Sequence, residues 1–138
     1  MNINNLSNAL GTFVKNDTEW LNINDSFKLC VTRMSIESQI YNAKQTEYLK
    51  DNPSTPKLFD DLFNAVATDE TIKYLANVLI VDWKLKDNDG KEIKYTVETA
   101  IEILNHPVLG KPLFTRIVNF TLNSANFDAK WEDKIVKN

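Results

Sequence analysis

Leu75-Ala76-Asn77-Val78-Leu79-Ile80-Val81-Asp82-Trp83 is the stretch whose reading decides the fold. Taken alone, Val78 to Val81 is a short apolar run that suits a buried strand. Taken with the residues before it, Ile72, Leu75, Ala76, Leu79, Ile80 and Trp83 recur at helical spacing. Thr68-Asp69-Glu70 supplies a helix start, with acidic side chains near the positive end of the helix dipole. The longer period predicts a helix from Thr68 to about Trp83, with Trp83 ending its apolar stripe in the core.

Working outward, Pro56 behind Thr55 suits a first helical position. Leu58, Phe59, Leu62, Phe63 and Val66 continue that helix at helical spacing. On the other side, Asp87-Asn88-Asp89-Gly90 is a turn and Ile93-Lys94-Tyr95 is briefly extended. Thr96 caps a helix carrying Val97, Ala100, Ile101 and Leu104, and Asn105-His106-Pro107 ends it. A further helix after Pro112 faces Leu113, Phe114, Ile117, Val118 and Thr121 to the core. Asn123-Ser124-Ala125-Asn126 breaks that pattern, and a short final helix is predicted around Trp131 and Ile135.

The N-terminal third has a different period. Phe27, Leu29 and Val31 alternate with polar residues, the signature of a half-buried strand. Thr12-Phe13-Val14 and Trp20-Leu21-Asn22-Ile23 are shorter extended candidates, separated by the Asx turns Asn16-Asp17 and Asn24-Asp25. Ser35 then caps a helix from Ile36 to Lys50, with Ile36, Ile40 and Ala43 on one stripe and Tyr41 and Tyr48 beside it. The expected fold is α+β and predominantly α-helical: a small N-terminal antiparallel β-meander followed by a helical bundle. All 138 residues are expected to form a single domain. Residues 1–34 make its β-rich part, 35–126 the helical core and 127–138 a C-terminal segment.

Composition excludes several classes. With 43% hydrophobic and 25% charged residues the chain matches ordinary globular proteins and needs no metal or disulfide to fold. No apolar run approaches the ~20 residues of a membrane span. The polar start Met1-Asn2-Ile3-Asn4-Asn5 lacks a signal-peptide pattern, so a secreted precursor is not expected. The net charge of −3, with Arg33 and Arg116 the two arginines among 16 basic residues, argues against nucleic acid as a partner.

No catalytic inventory is legible. Cys30 is the single cysteine, and no motif links it to His106, the single histidine. An EF-hand reading of Asp87, Asp89 and Gly90 would put Leu85 at the first ligand position and Thr96 at the last, so the loop lacks two carboxylates it needs. Glu98 and Glu102 share the exposed face of one helix rather than converging from two elements, as catalytic carboxylates usually do. Trp20, Trp83 and Trp131 lack the basic surroundings of a base-stacking platform and read as core or interface residues. Gly11, Gly90 and Gly110 cannot build a phosphate-cradling loop. Catalytic, cofactor and metal sites are therefore expected to be absent.

The run from Leu75 to Trp83, the turn Asp87-Asn88-Asp89-Gly90-Lys91-Glu92-Ile93 and the helix start Tyr95-Thr96-Val97-Glu98 together resemble the tail assembly chaperone family of long-tailed bacteriophages. Leu104 and Pro107 continue the pattern, and Trp20 with Phe27-Lys28-Leu29, Val31 and Arg33 matches it more weakly. The resemblance implies a non-catalytic protein, without cofactor, in the cytoplasm of the infected host. Such a protein binds the tape measure protein, helps recruit tail-tube protein and leaves before the virion matures. A homo-oligomer is compatible with this reading. The alternative is a structural tail or head-tail connector protein that stays in the virion. Phe127, Trp131, Ile135 and Val136 are the candidate partner-binding residues. They lie in a segment too short to be a stable helix alone, which must dock on its own domain, a second copy or a client helix.

Overall fold

The computed structural model describes residues 3–6, 9 and 13–129. Strands β1 (Thr18–Asn24), β2 (Phe27–Thr32) and β3 (Ile80–Leu85) form one antiparallel sheet in that order. Helices α1 (Gln39–Asp51), α2 (Pro56–Phe63) and α3 (Asp69–Tyr74) lie between the second and third strands in sequence. Helices α4 (Val97–Leu104) and α5 (Gly110–Leu122) follow the sheet. The α+β class is as expected, but the third strand comes from the middle of the chain. The N-terminal meander is thus two strands, completed by a segment that the helical period had claimed.

Helix α3 begins as its sequence dictates. The Thr68 hydroxyl accepts from the Thr71 amide at 3.1 Å, and the Thr71 hydroxyl accepts from the Thr68 amide at 2.7 Å, a reciprocal cap. Its hydrogen-bond ladder then widens into a π-helical turn over Leu75–Leu79, and Ile80 turns extended while its amide still donates to the Leu75 carbonyl. The helix does not reach Trp83, because β2 offers backbone partners to the chain beyond Leu79, in a ladder interrupted by one bulge between the Val31–Ile80 and Cys30–Asp82 pairs. Phe27 pairs with Leu85, Leu29 with Trp83 and Cys30 with Asp82. From Val81 to Leu85 apolar and polar residues alternate, and a strand alone can turn Trp83 and Leu85 inward while Asp82 and Lys84 face out.

Leu21, Leu29 and Trp83 form a row across the inner face of the sheet. Trp83 is 6% exposed and meets Phe27 and Tyr95 edge-on, with ring centroids 5.8 and 4.8 Å apart. Its Nε1–H donates to the Ile93 carbonyl at 2.8 Å. The core position expected for Trp83 therefore holds, reached from a strand rather than a helix. The Asp87–Gly90 turn forms as read: the Asp87 carboxylate accepts from the Asp89 and Lys91 amides, both at 2.9 Å, and Gly90 takes φ +78°. The Ile93 amide returns to the Leu85 carbonyl at 2.9 Å, although Ile93–Tyr95 is not a strand.

Two other expectations need correction. Helix α1 starts at Gln39, capped by Ser38 rather than Ser35, because the buried Ser38 hydroxyl reaches both Thr32 at 3.3 Å and the Tyr41 amide at 3.3 Å. Ile36 is then 77% exposed, and Tyr41, Lys44, Tyr48 and Leu49 turn inward instead of the Ile36–Ile40–Ala43 stripe. The second concerns Thr12-Phe13-Val14, which is no strand. Thr12 lies outside the described residues, Phe13 is exposed, and the Val14 carbonyl accepts from the Ala129 amide at 2.9 Å.

The tyrosines join these layers. The Tyr41 and Tyr74 hydroxyls are 2.6 Å apart in the interior, Tyr48 and Phe59 meet Tyr74 edge-on, and the Tyr95 hydroxyl donates to the Ala76 carbonyl. Burial pushes the pKa of all four tyrosines above the ordinary value of 10. A raised folded pKa means that the unfolded chain ionises first. The native advantage is intact below pH 10 and is lost as pH rises through the alkaline range.

Two measurements check this packing. Trp83→Ala should cost ~3–5 kcal/mol in urea unfolding, a large part of a typical ~5–15 kcal/mol total; an unchanged midpoint would remove Trp83 from the core. In a spectrophotometric titration, phenolate absorbance of the folded chain should emerge at higher pH than that of the urea-unfolded chain. Superimposable titration curves would mean that the tyrosines are not sequestered.

Candidate functional site

The connection between α4 and α5 is built to project apolar residues. Asn105-His106-Pro107 ends α4 as its sequence predicts. The His106 Nδ1 then accepts from the Val108 and Leu109 amides, both at 3.1 Å, and the Gly110 amide donates to the His106 carbonyl at 2.9 Å. Gly110 is buried against α4, where an added Cβ would lie 2.2 Å from the Leu104 carbonyl oxygen. This corner presents Val108 and Leu109 at the surface, where both line the groove described next. They are 72% and 58% exposed.

Beside this corner lies an apolar groove of about 290 Å³. Ile23 and Phe27 close one side from the tip of the β1–β2 hairpin, and Ile103 closes another from α4. Leu109, Pro112, Leu113 and Arg116 line it from α5 at the spacing i, i+3, i+4, i+7. The Arg116 guanidinium is anchored by one hydrogen bond, 2.8 Å, to the Asn22 carbonyl of β1. A second groove of about 220 Å³ flanks the other side of α5, between Ala65-Val66-Ala67 and the side chains of Lys111 and Thr115. Val66, one of its lining residues, is exposed.

Helix α5 thus has two working faces. Phe114, Ile117, Val118 and Thr121 are buried in the core, as expected. Leu113 is half-buried, packed against that core while also lining the groove, and the helix starts at Gly110, ahead of Pro112.

Among the described residues no group of three or more His, Cys, Asp or Glu side chains could hold a metal ion. Glu98 and Glu102 are exposed, and the Asp87 carboxylate is engaged with its own turn. Cys30 is buried, and burial pushes its thiol up, away from the reactive thiolate. No described helix is long and apolar enough to cross a membrane.

Of the candidate partner-binding residues, Phe127 is fully buried, packing on Phe120 at 5.5 Å between ring centroids. Its carbonyl accepts from the Asn16 amide. In this arrangement its ring is committed to its own domain. Trp131, Ile135 and Val136 lie outside the described residues. Sequence reading had passed over Val108, Leu109 and Arg116. Their signal was an apolar pair placed just after a helix-ending Pro107, followed by a second stripe on the next helix.

A family model described as the YdaY prophage protein matches residues 25–138, covering β2, β3 and every helix named above. The chain belongs to the YdaY prophage protein family. It is a phage-derived protein, and both grooves fall largely within the matched residues. No significant match was found among curated proteins or among solved structures.

The close approach at Gly110 generates a test of the corner. Gly110→Ala forces a methyl group into the Leu104 carbonyl, and overpacking of this kind costs ~1–3 kcal/mol. Denaturant unfolding should show a loss of that order. A variant as stable as the parent would show that α5 is free to slide away from α4.

Proposed function

We propose that this prophage-family protein is a tail assembly chaperone: a non-catalytic assembly factor that binds the tape measure protein and assists tail-tube assembly in the host cytoplasm. The observation that carries the reading is the solvent-open apolar groove between the hairpin tip and α5, with Val108 and Leu109 projecting beside it. Grooves of this kind receive the apolar face of an amphipathic helix. A tape measure protein is long and helical and needs its apolar segments covered until the tube closes around it. The resemblance through Trp83, Gly90 and Thr96 supports the same reading. Contacts with tail-tube protein, and self-association, belong to it as well.

The test is co-expression with the tape measure protein encoded by the same phage. The full chain should raise the soluble yield of that protein several-fold and co-purify with it. Val108→Ser/Leu109→Ser alters two exposed residues, so it should keep the parent's circular dichroism while losing the rescue. Truncation after Ala129 leaves Phe127 in place and measures the contribution of Trp131, Ile135 and Val136. Purified virions should lack the protein by mass spectrometry. Stoichiometric presence there would establish the structural tail or connector role instead.

A further inference from the structure

We infer that the outer face of α5, with the groove on each side of it, docks an acidic amphipathic helix. This inference rests on reading the α4–α5 corner as a docking surface, but not on the partner being a tape measure protein.

Three observations define the occupant. The first is charge. Among the described residues lining the two grooves, the charged side chain of each is a cation from α5, Arg116 in one and Lys111 in the other. Helix α5 contains no Asp or Glu, in a chain whose net charge is −3. Arg116 uses one N–H on the Asn22 carbonyl, which fixes its position and leaves the rest of its donor fork for a carboxylate. Lys111 and Arg116 are five positions apart, about 7.5 Å along the axis and about 140° around it, so the two cations flank the outer face of α5 and meet acidic residues on both sides of a partner's apolar stripe.

The second observation is geometric. The apolar side chains beside α5 lie in grooves on both of its flanks, and helices pack by setting ridges of side chains into such grooves. An extended partner has less to hold. On the exposed edge of β1, the Asn22 carbonyl is covered by Arg116 and the Trp20 amide by the Glu19 carboxylate at 3.2 Å. On β3, the Trp83 amide is taken by the Asp82 carboxylate at 2.8 Å. The sheet edges are blunted against strand addition.

The third observation disfavours a second copy. Two α5 helices packed against each other about a twofold axis would bring four cations together with no carboxylate from either helix to pair with them. Like charges across an interface suppress that pairing and select a partner of opposite sign.

The experiment uses the full chain and two synthetic helical peptides of about 18 residues, five turns. They share one Leu/Ile/Ala stripe and differ in having Glu or Lys at the flanking positions. Binding is measured by fluorescence anisotropy, and amide chemical shifts locate the contact. The Glu peptide should bind about tenfold more tightly at low salt, within what two partly exposed ion pairs supply. That preference should shrink as salt screens the pairs. Lys111→Glu/Arg116→Glu should reverse it, and Leu109→Ser should weaken both peptides while leaving the preference in place. Equal affinities, a preference for the Lys peptide, binding of neither, or shifts located away from α5 would each overturn the inference. Lost tape measure rescue beside a retained Glu preference would remove the client and keep the surface. Retained rescue without a charge preference would do the reverse.

Discussion

The widened turn at Leu75–Leu79 is the constraint on which the other contacts depend. Leu75, Ala76, Val78 and Leu79 are all buried there, so four of five consecutive side chains point into protein. A helix on the surface of a fold cannot do this, since it turns part of each revolution to solvent. The segment is possible because it packs against α1, α4, β2 and β3 together. It also ties the layers covalently: α3 enters it from the helical side and β3 leaves it for the sheet. Its own contacts to β2 and β3 seat it against the sheet, while its contacts to α1 and α4 join it to the helices.

Polar groups at this junction are accommodated by exact placement of a few side chains. The Tyr41–Tyr74 hydroxyl pair satisfies two phenols that would otherwise be buried without partners. Tyr95 covers the Ala76 carbonyl beside the widened turn, where regular i to i+4 bonding is disturbed. Trp83 then binds the Ile93 carbonyl, drawing the loop after β3 over the sheet. The far face of the sheet is polar, with the Lys84 ammonium 5.1 Å from the centroid of the half-exposed Trp20 ring. With the interior and these sheet-edge groups satisfied, the groove between the hairpin tip and α5 remains an apolar surface open to solvent.

The sequence by itself determined most helix boundaries, because caps and breakers act over a few residues. Thr55 with Pro56, Thr68 with Asp69 and Glu70, Thr96, and the Asn105-His106-Pro107 stop all operate where the pattern places them. It also determined β2 and the Asp87–Gly90 turn, whose signals are equally local. What it left undecided was the stretch from Leu75 to Trp83, which carries a helical period and a strand period at once. Only the tertiary structure chose, since the deciding partner was the open edge of β2, some fifty residues earlier in the chain. The docking surface was hidden for the same reason. Ile23, Phe27, Ile103 and Leu109 come from three separate regions, and each alone reads as an ordinary core residue. The corner that carries Leu109 depends in turn on the close packing of Gly110 on Leu104, a contact that no local pattern encodes.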